Sequence, residues 1–191
     1  MPSERRGSTT GRDSGAVAVE TAFVSMLLVI LLFGIVDSSF LFKDYLSVSA
    51  ATRAGARMGA SQPRISSGGD PAYFAQLAAN QVTNATAGLI QSNLKQVWVY
   101  KANAAGLPDS GSFASCNVCV KFQWSGGALI PSSSNWPASS QNACSGDPAR
   151  ASLGVYVQYK HTSPLGFFFN PATLNQSTVM WIEPTTAPIC K

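Results

Sequence analysis

Gly15-Ala16-Val17-Ala18-Val19-Glu20 runs directly into the uncharged residues from Thr21 to Val36. The 21 residues from 16 to 36 can span a bilayer as a helix of about 30 Å. Glu20 carries the only charge in this apolar segment. An ionised glutamate in hydrocarbon costs roughly 2–3 kcal/mol or more, so such residues are rare and usually have a partner. The stretch therefore predicts a subunit that is made in a membrane and assembles there.

The composition favours an exported protein. Charged residues make up 12% of the 191 residues, about half the usual share, while small polar side chains supply much of the surface. The net charge of +4 is scattered, and Lys and Arg form no stripe with interleaved aromatics. This pattern argues against a cytosolic enzyme and against a nucleic-acid partner.

The apolar segment is predicted to be a retained anchor. It is longer than the roughly 7–15 apolar residues of a cleavable secretory signal. Arginines precede it, at Arg5, Arg6 and Arg12, and basic residues before a span keep a short N-terminus in the cytoplasm. The predicted topology is a single pass through the cell (inner or cytoplasmic) membrane, with the N-terminus inside and the C-terminal part outside.

The helix is predicted to continue past the membrane. From Asp37 to Ala60 there is no proline, and apolar residues recur at helical spacing. A helix over 16–60 would be about 67 Å long. The predicted organisation is a cytoplasmic leader (1–15), a transmembrane helix (16–36), a juxtamembrane extension (37–62) and an extracytoplasmic domain (63–191).

A second motif follows the apolar span: Ala50-Ala51-Thr52-Arg53-Ala54-Gly55-Ala56-Arg57. Together with the stretch from Gly15 to Glu20, it resembles the TadE-like proteins. These are pseudopilin or minor-pilin components of the tight-adherence (Flp-type) pilus system, a branch of the type IV pilus superfamily. The resemblance is strong over roughly residues 11–60 and weak beyond.

The resemblance implies roles for three residues near the N-terminus. A membrane-embedded aspartyl prepilin peptidase would cut between Gly15 and Ala16, which makes Glu20 the fifth residue of the mature chain. Glu20 would then face the new N-terminal amine of a neighbouring subunit, and each buried charge compensates the other. Thr21 stands where the processing motif commonly has an aromatic residue. The implied partners are other pilins or pseudopilins, the pilus assembly platform, the prepilin peptidase and membrane lipid.

For two features of the helix, an interpretation without a specific function stays open beside the functional one. Glu20 can snorkel to the membrane interface and do nothing further. Arg53 and Arg57 lie at i and i+4 and so share one helix face. That face is either simply solvated or docks onto an acidic partner subunit or lipid headgroups.

The extracytoplasmic part is predicted to be an α+β domain with a pilin-like fold. A helical pattern covers about 71–94. Dense β-forming residues predict a strand near 97–100, alternating apolar residues predict strands near 118–124 and 153–159, and 177–183 is a fourth candidate. Loops are predicted at 103–115 and 125–150. The architecture is a long transmembrane helix that continues outside the membrane, then a helix and a small antiparallel β-sheet of about four strands, stapled by disulfides.

All four cysteines follow the span: Cys116, Cys119, Cys144 and Cys190. In an oxidising compartment an even count predicts two disulfides. The preferred pairing is Cys119–Cys144 and Cys116–Cys190, because three residues of extended chain would hold Cys116 and Cys119 about 10 Å apart. Zinc binding or redox activity at the Cys116–Cys119 spacing is the weaker alternative, since that pair falls in a strand-like run.

No enzyme, catalytic residue, metal or cofactor is predicted. His161 is interpreted as a loop residue rather than a base, and the carboxylates of the exported half lie in separate segments. The aromatic run Phe167-Phe168-Phe169 is either a loop that plugs the core or an exposed contact patch. Two other functions stay open: a signal-anchored envelope protein with a ligand- or surface-binding domain outside any filament, and a membrane-tethered thiol oxidoreductase.

Overall fold

The computed structural model describes residues 10–62, 73–137, 140–144, 146–166 and 171–184, and in the first helix it describes side chains from Gly15 onward. Two helices and five strands follow in order: α1 Thr10–Ser61, α2 Tyr73–Ala85, β1 Leu94–Ala102, β2 Cys119–Ser125, β3 Ala128–Asn135, β4 Ser152–His161 and β5 Ala172–Trp181. The predicted α+β architecture is confirmed: a long apolar helix, a second helix and an antiparallel sheet.

Helix α1 has 52 residues, which corresponds to about 78 Å. Its described part begins at Thr10, six residues before the predicted start, and runs unbroken through the predicted end of the span. Every side chain from Gly15 to Phe33 is exposed, whereas buried positions recur from Asp37 onward. The division into leader, span and extension stays a prediction, but the change in burial at Asp37 separates a bare half from a docked half.

The sheet has the order β3-β2-β1-β4-β5, and every pairing is antiparallel. Helix α1 contacts β4 and β5, and α2 contacts α1, β1 and β3. The core lies between the helices and the sheet and consists mainly of valine, alanine and leucine. Along α1, Asp44 meets the end of β4 at His161, whereas Gly59 meets its start at Leu153. The His161 end of the sheet is therefore nearer the apolar half of α1.

Two glycines let α1 approach its neighbours closely. A Cβ placed on Gly55 would lie 2.6 Å from Cγ2 of Val82 in α2, and one on Gly59 would lie 3.0 Å from Cδ1 of Leu153 in β4. The Gly55-x-x-x-Gly59 pair thus serves packing within this chain. Small residues at such a contact bring helix backbones together.

The second helix is shorter than predicted. Its described part ends at Ala85 rather than near 94, and a short 3₁₀ turn over Gln91–Asn93 leads into β1. The hydroxyl of Thr86 donates to the carbonyl of Val82 at 2.9 Å, a local bond of the kind that competes with helix continuation. The proposed start at Asp70 and Pro71 lies outside the described residues.

Strand β3 falls in a segment predicted to be a loop. Gly126 and Gly127 have φ values of 60° and 88°, which suits a two-residue hairpin between β2 and β3. Pro131 lies beside an irregularity in the pairing, on the edge strand, where its missing N–H is tolerated. The second half of β3, from Ser132 to Asn135, is polar, so this strand lacks the β-forming or alternating apolar residues that predicted the other strands.

Candidate functional site

The bare half of α1 is the first candidate site. Within the described residues one helix, from Gly15 to Ser61, is long and apolar enough to cross a membrane, and its most apolar window has none of its surface buried. Large apolar side chains there remain exposed, among them Phe23 at 72% and Met26 at 65%. So much exposed apolar surface marks a membrane or protein interface, and the helix is consistent with an N-terminal membrane anchor.

Glu20 differs from the other polar side chains of this half. The hydroxyl of Thr21 donates to the carbonyl of Val17 at 2.8 Å, and Ser25 donates to the carbonyl of Thr21. Glu20 is exposed and forms no ion pair with any described residue. Gly15 and Ala16 are also exposed and lie inside the continuous helix. The bare helix therefore satisfies its hydroxyls locally and presents one carboxylate outward; the assembly role of Glu20 stays a prediction.

At the beginning of the docked half, Asp37 is fully buried and accepts a hydrogen bond from the hydroxyl of Ser163. The same Ser163 oxygen accepts the N–H groups of Leu165 at 3.2 Å and Gly166 at 3.0 Å. Asp37 thus joins α1 to the chain that leaves β4.

Two turns further along α1, Asp44 contacts the histidine. Nδ1 of His161 lies 2.7 Å from Oδ2 of Asp44, and the imidazole is fully buried. Nε2 of His161 is buried without a hydrogen-bond partner among the described residues. The predicted loop position of His161 is wrong: it is the last residue of β4. Burial and the Asp44 charge raise the pKa of the neighbouring Tyr159.

Sequence reasoning did not identify Asp37 and Asp44. A weak signal was present, because the two carboxylates are seven residues apart and continue the stripe of buried Val48, Ala51 and Thr52. Positions at that spacing lie on one helix face. Their partners Ser163 and His161 are more than a hundred residues away in sequence, and nothing local points to them.

Arg53 and Arg57 are exposed on a shared face of the docked half. They line a cleft of about 480 Å³ that Gln81 of α2 and Met180 of β5 complete. Neither arginine forms an ion pair with a described carboxylate. The structure brings the two arginines together but leaves them some thirty residues from Glu20 along the helix.

The preferred cysteine pairing is wrong. Cys116 and Cys119 form a disulfide with their Cα atoms 6.1 Å apart. The chain between the two cysteines is not extended, because Cys116 follows a 3₁₀ turn over Phe113–Ser115 and a bend occupies the two residues between the cysteines. Cys144 is also disulfide-bonded, and Cys190 lies outside the described residues, as does the aromatic run from Phe167 to Phe169.

The Cys116–Cys119 pair does not lie at the start of a helix. Cys116 ends a 3₁₀ turn, and Cys119 begins β2 with 1% of its surface exposed. Redox pairs of this spacing rely on a helix N-terminus to stabilise the thiolate. Among the described residues no three His, Cys, Asp or Glu side chains form a group that could hold a metal ion.

The N-terminal apolar helix is exposed over its first half, where Glu20 is its one described carboxylate, and its far half packs on an antiparallel sheet. This architecture is consistent with a membrane-anchored protein whose anchor continues as a helical stalk. Residues 15–57 match the model of the family described as TadE-like protein. The resemblance drawn from the motifs is thus confirmed over the anchor and the Arg53–Arg57 tract, under a quarter of the chain. This family is associated with the tight-adherence pilus. No curated protein and no solved structure matches the chain.

Proposed function

We propose that this protein is a pseudopilin- or minor-pilin-like component of tight-adherence pilus biogenesis. It inserts with its N-terminus inside and its sheet domain outside, and it assembles through the bare half of α1. The observation that carries the proposal is the wholly exposed apolar helix from Gly15 to Phe33, which holds Glu20 and lies in the segment that matches the TadE-like family. The role is structural rather than enzymatic.

Assembly requires a partner for Glu20. A prepilin peptidase that cuts after Gly15 creates a new amine at Ala16, one helical turn from Glu20. In a bundle of such helices the amine of one subunit can meet the Glu20 carboxylate of its neighbour. An ammonium and a carboxylate that are both removed from water compensate each other's desolvation when their contact is close.

Arg53 and Arg57 form a second contact, with protein rather than lipid. Arg53 lies about 25 Å beyond Val36 along the helix axis. Headgroups extend only about 5–8 Å past each side of the hydrocarbon core, so they do not reach the arginines when the helix stands out of the bilayer. We therefore propose that the Arg53–Arg57 cleft docks onto an acidic face of a partner subunit.

The test of this function is Glu20→Ala. Removal of the charge should leave membrane insertion unchanged or improved, because burial of an ionised carboxylate in lipid is unfavourable. It should abolish co-isolation with partner pilins after mild membrane extraction. Ser25→Ala is the matched control, since it removes only a local bond to the carbonyl of Thr21. Normal co-assembly of the Glu20→Ala protein would show that assembly does not need the Glu20 carboxylate.

The signal-anchored envelope protein remains the second candidate, since an open cleft at the far end of the sheet domain offers room for a ligand. The thiol oxidoreductase gains no support from the buried strand position of Cys119. Intact mass separates the first two functions, because only the pilin-like protein should lose residues 1–15.

A further inference from the structure

A cleft of about 570 Å³ lies at the end of the sheet away from the apolar half of α1. It is formed where β1 ends, β4 begins and β5 ends, and two loops, 103–106 and 148–150, complete its walls. This is the Ser152 end of β4, opposite the His161 end at which Asp44 is bound. The cleft therefore faces away from the membrane if α1 is anchored as proposed.

Trp181 and Arg150 dominate its lining. Trp181 is 58% exposed, and no large apolar side chain among the described residues outside α1 is more exposed. The guanidinium of Arg150 lies 5.1 Å from the Trp181 ring centroid. This cation–π contact holds the arginine in place, and Arg150 has no carboxylate partner among the described residues. The pair presents a fixed cation over one face of an indole that stays more than half exposed.

The loop that carries Arg150 is built from its own side-chain bonds. Asn142 donates to Asp147 at 2.7 Å, and the Asp147 carboxylate also accepts the N–H of Ala149 at 2.7 Å. These two bonds, the Asn142 bond first, lower the pKa of Asp147. The carboxylate is thus held by its own loop and does not line the cleft.

The opposite loop is equally constrained. Asn103 accepts the N–H groups of Ala105 at 2.9 Å and Leu107 at 3.1 Å and donates to the carbonyl of Pro108 at 3.2 Å. Gly106 takes the turn with φ at 78°, and its carbonyl accepts the hydroxyl of Tyr100 at 2.9 Å. Both walls are therefore preformed, as in most small-molecule sites.

We propose that this cleft binds an acidic saccharide, with a uronate ring as the unit recognised. Arg150 is the only charged side chain among the described residues that line the cleft. A guanidinium binds a carboxylate through two parallel hydrogen bonds in a bidentate contact. The exposed part of the Trp181 indole that Arg150 does not cover offers an apolar surface for the C–H face of a sugar ring. Backbone groups of the two loops remain to meet hydroxyls, and the volume suits one or two sugar rings. The site does not depend on filament assembly.

The test is calorimetric titration of the full chain in lipid nanodiscs, which avoids sugar-based detergents. The ligands are oligogalacturonate, its methyl ester, monomeric galacturonate and inorganic phosphate. The acidic oligomer should bind roughly tenfold more tightly than its neutral ester, the size of one charge-assisted contact. Arg150→Gln should remove that preference, and Trp181→Ala should weaken both oligomers while Trp181→Tyr restores binding. Weaker binding of the monomer than of the oligomer assigns the site to a polymer, and equal binding assigns it to the free acid.

Arg57→Gln is the matched control, because it removes an exposed arginine from the other cleft. It should bind oligogalacturonate like the unaltered protein, and all variants should keep the thermal midpoint of the parent. The proposal is overturned by equal binding of acid and ester, by phosphate binding as strong as that of the oligomer, by an equal loss in Arg57→Gln, or by no saccharide binding at all.

Discussion

At the residue scale, the absence of a side chain decides how α1 packs. Gly55 faces Cγ2 of Val82 and the carbonyl of Ala78, which would lie 2.6 Å and 3.1 Å from an added Cβ. Real Cβ atoms do not approach a neighbour as closely as the first distance, so α1, α2 or the Val82 side chain must shift if Gly55 is replaced. Helix propensity acts in the other direction, because glycine costs about 1 kcal/mol relative to alanine inside a helix.

Gly55→Ala should therefore destabilise the sheet domain. Overpacking costs about 1–3 kcal/mol and exceeds the propensity gain of about 1 kcal/mol. Denaturant unfolding of the full chain in micelles measures the difference. Gly88→Ala is the control, since nothing lies within 4 Å of its Cβ position. Val82→Ala in the same chain should recover part of the loss, and a gain in stability in Gly55→Ala alone would refute the close contact.

Two buried tyrosines and the half-buried Tyr156 predict how the free energy of unfolding responds to alkali. Burial raises the pKa of Tyr100 and Tyr156, and burial together with Asp44 raises the pKa of Tyr159. A raised pKa means that the folded chain holds these protons more tightly than the unfolded chain. The contribution is complete below the ordinary tyrosine pKa of about 10 and is lost as pH rises through the raised values.

The free energy of unfolding should accordingly fall with pH above about 10. Tyr159→Phe should make this fall shallower, because one of the groups responsible no longer titrates. Denaturant unfolding at several alkaline pH values gives the slope, and ultraviolet absorbance of the phenolates gives the titration directly. An unchanged slope in Tyr159→Phe would remove that residue from the explanation.

At the element scale, α1 is one helix with two environments. Its bare half is exposed from Gly15 to Phe33, whereas its docked half is fixed to β4 and β5 by small residues and a few polar contacts. Asp44 and His161 join α1 to the end of β4, and Thr52 and Thr178 join it to β5 at 3.0 Å. These contacts attach the sheet domain to the docked half of α1.

The Asp44–His161 contact predicts a non-additive mutation cycle. Loss of Asp44 leaves the buried His161 imidazole unpaired, and loss of His161 leaves the part-buried Asp44 carboxylate unpaired, so Asp44→Leu or His161→Phe alone should cost about 1–3 kcal/mol. Replacement of both by apolar residues should cost much less than the sum of the two, since no polar group is left stranded. Chemical unfolding of the four proteins in the cycle measures the coupling. Additive losses would show that the two side chains do not act as a pair.

At the scale of the whole molecule, much of the fold could be predicted from the sequence. Unbroken helix formers predicted the long α1, and β-forming or alternating apolar residues predicted four of the five described strands. Strand β3 was not predicted, because its residues Ser132, Ser133 and Ser134 are polar and show no alternation of apolar and polar side chains. The pair Gly126-Gly127 was a local signal for the hairpin that leads into it. The Cys116–Cys119 disulfide was not predicted, because the two residues between the cysteines form a bend rather than the extended chain that was expected.

The candidate functional residues also fall into two groups: those that the local sequence indicates, and those that only the tertiary structure brings together. Glu20 and the two arginines were identified because each is unusual within its own local segment. Asp44 and His161 were not, because their contact depends on how β4 lies against α1, which no local pattern specifies. The cleft at Trp181 also escaped, since three strand ends and two loops form it together.

The central claim is that the N-terminal stretch is a processing and assembly signal rather than a plain anchor. The most direct test is N-terminal sequencing with intact mass of the full-length product, extracted from membranes of cells that contain a prepilin peptidase. The account predicts a mature chain that begins at Ala16, with Glu20 as its fifth residue. A chain that begins at Met1 or Pro2 would contradict it.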